Sequence, residues 1–562
     1  MIDVLPPGTL MVLGALLIPL IPGQLRKVYM LALPVMSFVH LLGLPIGTYG
    51  HVVLFDYTLE VVRVDKLSLV FGYIFHLASF ISVIYGLHEE DVVQHVSGVM
   101  YAGSAIGAAF AGDLVTLFVY WEATAITSVF LIWARRTEKA YRVGLRYLVI
   151  QVGSGVILLS GVLLRVQAGQ SLAFNHIGLD SPGGLLIFLA FGIKCAFPLL
   201  HNWLQDAYPE ATVIGTVFLS AFTTKLAIYA MARGYAGTEY LIWIGAIMTA
   251  FPVFFAVIEN DLRRVLAYSL NNQLGFMLVG VGIGTELAIN GAVSHAFAHI
   301  LYKALLFMSM GAVLYRVGTV KASELGGLYR SMPITTVFCL IGAAAISAFP
   351  LFSGFVTKSM TVSAVGEQHM TLVWLTLTFA SAGVLHHSGI RIPFCGFFGH
   401  DSGKRCEEAP TNMLVAMGIT AFFCIGIGVY PDPLYAILPY SVDYQPYTTG
   451  HVVTQLQLLV CALAAFGIIA RKHLEPPEVP ATNLDTDWVY RKALPTVLKG
   501  VVAVGSPIKD GFFETSKVLI RAMVVRIGGF HNAQGVWGRT WLTRHSVLVI
   551  TGFITIYLLF YY

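Results

Sequence analysis

The chain of 562 residues contains few charged side chains: 11% of its residues are Asp, Glu, Lys or Arg, and 57% are hydrophobic. A soluble globular protein carries about 25% charged residues. This shortage excludes a soluble globular domain and indicates an all-α polytopic membrane protein. The net charge of +4 is small, and the basic residues are distributed among the loops between apolar runs, so we expect no nucleic-acid partner.

Cysteine is also scarce, and its spacing excludes several kinds of site. The six cysteines contain no Cys-x-x-Cys pair and mostly lie in apolar runs, which predicts core residues and no disulfide framework, iron–sulfur cluster or zinc site. No glycine-rich phosphate loop, nucleophile triad or haem motif occurs in the sequence. We therefore expect no cofactor, no metal and no redox centre in this chain. The cysteines are Cys195, Cys339, Cys395, Cys406, Cys424 and Cys461.

Long apolar runs, by contrast, are abundant. Sixteen segments approach the roughly 20 residues that a membrane-spanning helix requires. They cover residues 9–22, 28–47, 68–87, 96–112, 114–133, 143–164, 184–201, 213–232, 240–258, 265–284, 288–315, 333–364, 370–389, 413–430, 452–470 and 546–561. Basic residues concentrate in the loops after odd-numbered segments, which predicts that these loops are cytoplasmic and that both termini lie on the opposite side.

The segment before the last span has a different composition. It is basic and has a helical period of polar residues, which predicts an amphipathic helix along the cytoplasmic face at 476–544. Gly500, Gly505 and Pro507 predict that this helix is interrupted. The alternative is a disordered loop with two short helices.

The tetrapeptide AFPL occurs twice, once in the seventh segment at 196–199 and once in the twelfth at 348–351. Lys194 precedes the first copy and Lys358 follows the second. Because proline removes a helix hydrogen bond and clashes with the preceding turn, we expect both helices to break there. Transporters built from inverted repeats place broken helices at matching positions in their two halves.

Four charged residues inside the apolar runs stand out. A charge at the bilayer centre costs at least about 2.5–3.5 kcal/mol, which favours a functional role. Forming and opening a Glu122–Lys194 ion pair would change the proton affinity of the lysine, as a pump requires. The alternatives are lysines that extend to the interface or that form structural ion pairs. The four residues are Glu122, Lys194, Lys225 and Lys358.

The eleventh segment contains His295, His299 and Lys303 at positions i, i+4 and i+8, close to one helix face. Histidine titrates near neutral pH, so this face predicts a proton relay from Lys225 to Lys358. Two alternatives stay open. The histidines could form a His-x-x-x-His metal site, although no acid or thiol accompanies them, or they could only hydrogen-bond neighbouring helices.

Near the end of the thirteenth segment, His386 and His387 have no comparable spacing to other ionisable residues. We expect them to be interfacial.

Six sequence blocks, in this order, resemble the antiporter-like subunits shared by respiratory complex I, Mrp sodium/proton antiporters and membrane-bound hydrogenases. The resemblance is densest over residues 112–358, and two further spans with a lateral helix are similar to the largest such subunit of complex I. Gln205 stands where the family usually has proline. The blocks are DLVTLFVYWE, KCAFPLLHNWLQDAYPEA, TTKLAIYAMAR, NDLRRVLAYSLNNQLGF, HAFAHILYKALLFMSMGAVLY and SAFPLFSGFVTK.

This resemblance implies a fourteen-helix core with two inverted five-helix repeats and broken helices 7 and 12. It also implies that Glu122 and Lys194 form the family's pair, that Lys225 is its central lysine, and that Lys358 is its terminal lysine. His295 and His299 match its relay histidines. The implied organisation is an N-terminal segment 1–95, repeats 96–235 and 236–390, core helices 391–475, the lateral segment 476–544 and a final anchor 545–562.

The expected function is proton translocation, with sodium/proton antiport as a variant, by one subunit of a larger complex in the cell membrane. Expected partners are other hydrophobic subunits, membrane lipids, protons and sodium. Two alternatives stay open: a membrane-arm subunit of an NADH:quinone or hydrogenase-type oxidoreductase, and a scaffold without transport.

Overall fold

The computed structural model of the protein describes residues 5–54, 57–472, 483–532, 535 and 541–561. The chain divides into two compact units, Met1–Asn483 and Leu484–Tyr562. The larger unit contains all the predicted site residues, and its fold is almost entirely helical.

The first half of the larger unit provides the helices that carry Glu122, Lys194 and Lys225. In chain order the helices are α1 Thr9–Ala15, α2 Gly23–Leu42, α3 Lys66–Tyr85, α4 Val92–Ala109, α5 Leu114–Trp133, α6 Glu138–Gln167, α7 Gly184–Lys194, α8 Asn202–Glu210, α9 Val213–Ala221 and α10 Thr223–Gly234.

The second half of this unit provides the helices that carry the histidines, Lys303 and Lys358. These helices are α11 Glu239–Ile258, α12 Leu262–Ile283, α13 Glu286–Val317, α14 Pro333–Ile346, α15 Ser353–Glu367, α16 Thr371–Val384, α17 Arg391–Pro393, α18 Thr411–Val429, α19 Asp432–Ala436 and α20 Thr449–Arg471. π-Helical turns at Leu385–Ile390 and Phe394–Phe398 flank α17.

Within the described residues, ten helices are long and apolar enough to cross a membrane, and three shorter apolar helices lie beside predicted breaks or near the N-terminus. Each of the sixteen apolar segments coincides with a helix or with a pair of helices. The predicted all-α polytopic membrane fold is therefore confirmed. The number of spans, sixteen, stays a prediction.

One element was not predicted: an antiparallel hairpin of strands β1 Gly47–Leu54 and β2 Tyr57–Val64, paired from Gly47↔Val64 to Leu54↔Tyr57. Asp65 follows the hairpin directly. Its carboxylate caps α3 by accepting from the Ser68 amide at 2.9 Å and accepts two 2.8 Å bonds from Arg233 at the end of α10. The hairpin is thereby connected to the helix that carries Lys225.

Both predicted breaks are present, and they have the same backbone conformation. Ala196 and Leu199 have φ values of 60° and 70°, and Ala348 and Leu351 have φ values of 56° and 74°. Positive φ is uncommon for residues with a side chain, so its recurrence at the same two positions of AFPL is specific. The breaks separate α7 from α8 and α14 from α15.

A second pair of matching structures supports an internal repeat. Asp113 and Asp261 cap α5 and α12 with side-chain bonds to backbone amides. Each aspartate also pairs with a distant loop residue in an antiparallel bridge, Asp113 with Ala173 and Asp261 with Lys321. The boundaries 96–235 and 236–390 and the inverted orientation of the two repeats stay predictions.

The smaller unit contains α21 Leu494–His531, preceded by a π-helical turn Val489–Ala493, and α22 Thr543–Tyr561. The expected interruption at Gly500, Gly505 and Pro507 is wrong, because α21 is continuous over 38 residues. Helix propagation is cooperative, so the remaining hydrogen bonds of a long helix offset local costs at glycine and proline. Its position along the membrane face stays a prediction, and residues 476–482 of the predicted segment lie outside the described residues.

Candidate functional site

The seven predicted site residues all lie on helices of the larger unit, and six of them are buried. Glu122 on α5 is partly buried. An isolated buried charge is costly, so the partners of these side chains indicate what each can do. The buried six are Lys194, Lys225, His295, His299 and Lys303 at 0% exposure and Lys358 at 3%.

Lys194 is the last residue of α7, and its ammonium is held by α5. Nζ donates to the Trp121 carbonyl at 2.6 Å and to the Thr124 hydroxyl at 3.0 Å, and it lies 4.2 Å from the centroid of the Trp121 ring. The Trp121 indole in turn donates to Ser154 on α6 at 3.0 Å. Three helices therefore determine the position of this amine.

Glu122 does not contact Lys194 in this conformation. Among the described residues, no ion pair within 4.0 Å joins the two side chains, and the Glu122 Oε1 atom is buried without a hydrogen-bond partner. The carboxylate instead lies against Gly155 of α6. The Glu122–Lys194 ion pair therefore stays a prediction, which would require a different conformation of one of the two side chains.

This arrangement makes a specific prediction about Gly155. A methyl group there would overlap the Glu122 carboxylate, whereas a methyl group at Gly153 on the same helix would have no heavy atom within 4 Å. We expect Gly155→Ala to displace Glu122 and to reduce proton transport about tenfold or more, because misplaced catalytic groups lose large rate factors. Proton uptake into vesicles containing the assembled complex is the measurement.

Gly153→Ala is the matched control. Alanine favours a helix over glycine by roughly 0.5–1 kcal/mol at both positions, so a loss of transport confined to Gly155→Ala cannot come from helix destabilisation. Equal rates in the two variants would contradict a functional position for Glu122 beside α6.

The eighth span is also broken, which the sequence analysis did not predict. Helices α9 and α10 meet at Phe222, which has φ −104° and ψ −68°. The Lys225 ammonium donates to the carbonyl of Ser220, one turn before it. A carbonyl near a helix end is a natural acceptor for a buried amine, because such carbonyls lack intrahelical partners.

His295 lies at the centre of a hydrogen-bond cluster. Its Nε2 atom is 3.1 Å from the Gln273 amide oxygen and 3.3 Å from the Tyr302 hydroxyl, and its Nδ1 atom is 3.3 Å from the Thr357 hydroxyl. Thr357 is adjacent in sequence to Lys358. The cluster therefore connects α12 and α13 to the helix that carries the terminal lysine.

His299 has a different environment. Neither of its ring nitrogens has a hydrogen-bond partner among the described residues, although it is fully buried. It interacts electrostatically with Lys225, Lys303, His295 and Lys358. Buried histidines normally satisfy their nitrogens, so the two unpaired ring nitrogens of His299 are unusual among the described residues.

Lys358 on α15 lies at the second break. Nζ donates to the Ile346 carbonyl at the end of α14, at 3.2 Å, and lies 5.1 Å from the centroid of the Phe276 ring. The residue also lines a cavity of about 550 Å³ whose other polar residues include Ser359, His451 and Gln455. A cavity of this size is large enough to admit water beside these polar residues.

Several polar residues around the site were not predicted. Gln273 is the last of three consecutive amide side chains in the block NDLRRVLAYSLNNQLGF. Three amides in a row are unusual in a membrane span, and this pattern could have identified Gln273 as a candidate site residue. His387 lies in the π-helical turn Leu385–Ile390 and is fully buried. Its expected interfacial position stays a prediction.

No group of three or more His, Cys, Asp or Glu residues in the described part of the chain could hold a metal ion. The His295–His299 pair is accompanied instead by an amide, a phenol and amines.

Comparisons with known proteins agree with this geometry. A model of the family described as NADH:quinone oxidoreductase/Mrp antiporter, TM matches residues 111–383. The chain is 28% identical over 428 residues to hydrogenase-4 component B of Escherichia coli, covering 67% of this chain and 63% of that protein. It is 27% identical over 525 residues to a Na(+)/H(+) antiporter subunit of Bacillus subtilis, covering 82% and 65% respectively.

Among solved structures, the Mrp complex from Dietzia sp. DQ12-45-1b matches with a TM-score of 0.74 and 22% identity, over 93% of this chain and 62% of that chain. The chain spans less than two thirds of the length of each of these three proteins. Residues 111–383, which contain all seven predicted site residues, match this family's model, so this part of the chain is similar to the antiporter-like membrane proteins of the NADH:quinone oxidoreductase and Mrp antiporter family.

Proposed function

We propose that this chain translocates protons through a line of buried side chains, as one subunit of a multisubunit membrane complex. The observation that carries the proposal is the burial of four lysines whose ammonium groups contact carbonyls or hydroxyls and no carboxylate among the described residues. Structural lysines at membrane depth would be expected to pair with acids. Amines without such partners are suited to gaining and losing protons.

The line begins at Glu122 and Lys194. In the described conformation the pair is open and Lys194 is held by the Trp121 carbonyl and the Thr124 hydroxyl. Closing the pair would stabilise the lysine as an ammonium ion, and opening it would favour release of the proton toward Lys225.

The middle and the end of the line lie around α13. His299 lies one helical turn before Lys303 on α13 and is fully buried with it, and the His295 cluster reaches Thr357. The cavity beside Lys358 provides space for water at the end of the line. The steps from Glu122 to Lys194, from Lys194 to Lys225 and from the α13 residues to Lys358 join groups on different helices, so small helix movements could regulate them.

The partners are proposed to be other hydrophobic membrane subunits, together with lipids, and the transported ion to be the proton, with sodium in exchange as a variant. The relatives include both a hydrogenase-4 component and a Na(+)/H(+) antiporter subunit. An oxidoreductase membrane arm is therefore the second candidate. A scaffold without transport is disfavoured by the buried lysines.

Purification of the native complex, followed by subunit identification and transport assays in vesicles, tests this proposal. We expect co-purification of further hydrophobic subunits and proton movement driven either by a sodium gradient or by a redox reaction. Iron–sulfur and quinone-binding subunits would identify the oxidoreductase. A complex that moves no protons under either driving force would overturn the proposal.

A further inference from the structure

A chain of hydrogen bonds leaves Lys303 in a direction that the proposed line does not use. Lys303 Nζ is 2.8 Å from the Ser269 hydroxyl on α12, and that hydroxyl is 2.8 Å from the hydroxyl of Ser388. Ser388 is in turn 2.8 Å from Nδ1 of His387. All four side chains have 0% exposure. The chain therefore connects three elements without a gap.

The π-helical turn Leu385–Ile390 produces the last of these contacts. In an α-helix, consecutive side chains point about 100° apart, whereas here His387 and Ser388 are both directed inward and hydrogen-bonded to each other. His386 instead packs against Phe466, with ring centroids 5.2 Å apart. π-Helical turns frequently occur at functional sites.

The other ring nitrogen of His387 has no hydrogen-bond partner in the part of the chain that the structure describes. Nε2 is buried and forms no hydrogen bond among the described residues. Leaving a buried polar atom unpaired costs about 1–3 kcal/mol, and a histidine that only supported the fold would be expected to pair both nitrogens. This nitrogen is free to accept a proton.

We propose that His387 delivers protons to Lys303 through Ser388 and Ser269. The inference rests on the proposed function and adds a donor that lies outside the region matched by the family model. When the Lys303 amine is neutral, Ser269 donates to it, Ser388 donates to Ser269, and His387 Nδ1 donates to Ser388. In all three hydrogen bonds the donor then lies on the His387 side and the acceptor on the Lys303 side.

In this arrangement, each proton that binds Nε2 of His387 causes one proton to be transferred along the chain to the Lys303 amine. The N–H bond at Nδ1 breaks and its proton passes to the Ser388 oxygen. Ser388 passes its own proton to Ser269, and Ser269 passes its own proton to the amine. His387 ends neutral with its proton on Nε2, and Lys303 ends as an ammonium ion.

The experiment measures proton transport by the intact complex in vesicles. We expect His387→Gln and Ser388→Ala each to lower the rate roughly a hundredfold, as expected for loss of a positioned proton-transfer group. The double variant should be no slower than either single variant, because a chain interrupted once is already interrupted. His386→Gln is the matched control and should keep the original rate, and Ser388→Thr should restore most of it.

The outcomes separate this proposal from the proposed function. If Lys194→Ala abolishes transport while His387→Gln and Ser388→Ala leave it unchanged, only the His387 chain is overturned. If Lys194→Ala transports normally, the proposed function fails. ¹⁵N NMR of labelled histidine in the complex gives an independent test: Ser388→Ala should shift the Nδ1 signal of His387, and an unchanged signal would overturn the hydrogen-bonded chain whatever the transport result.

Discussion

Replacing Lys194 with alanine is expected to abolish proton translocation and to leave the subunit in its complex. The amine is fully buried and its contacts are a carbonyl, a hydroxyl and an aromatic ring. Because its direct contacts are neutral groups, removing it leaves an unpaired carbonyl and hydroxyl, which costs about 1–3 kcal/mol and should not unfold the subunit. It does remove the group that the proposal places first in the proton path, and we expect at least about a hundredfold loss of rate.

Glu122→Ala should have a similar effect, since an isolated lysine would lack the charge that changes its proton affinity. Lys404→Ala, which removes a lysine in the loop after the thirteenth span, serves as the control and should transport normally. Assembly is checked by the amount of subunit in the purified complex. Normal pumping by both Lys194→Ala and Glu122→Ala would contradict the scheme.

Replacing Lys225 with methionine is the second change with a large expected effect. Methionine is unbranched and of similar length, so it can fill the same space in the core. The Ser220 carbonyl loses its donor, which costs about 1–3 kcal/mol of stability. Transport is expected to fall at least about a hundredfold, because the proposed line passes through this amine between Lys194 and the residues of α13.

The neighbouring residue provides a control for this substitution. The Thr224 hydroxyl is buried and has no partner among the described residues, so Thr224→Val changes the same turn of α10 without removing a hydrogen bond. We expect Thr224→Val to transport at the original rate. Thermal denaturation of both variants separates stability from transport: equal transport losses in the two would mean that packing, and not the amine, is responsible.

The breaks were predictable because proline has a local effect. Proline at 198 and at 350 removes a backbone donor wherever it occurs in a helix, and the repetition of AFPL indicated that the same conformation would occur twice. The break at Phe222 had no such signal. Neither proline nor glycine lies at this position, so the interruption depends on surrounding packing.

The burial of the lysines and histidines was likewise predictable, because their cost inside an apolar run does not depend on the details of packing. Their partners were not. Lys194 contacts the Trp121 carbonyl and not Glu122, and the contact of His387 with Ser388 had no signal in the sequence.

The amino-acid sequence alone determined that this is an all-α membrane protein with two broken helices and with titratable residues at membrane depth, because hydropathy and proline act over a single turn or span. Only the tertiary structure decided which of these residues meet. The Lys194–Trp121 contact joins residues 73 positions apart, and the Ser269–Ser388 contact joins residues 119 positions apart. Such contacts follow from how the helices pack, and no local pattern specifies them.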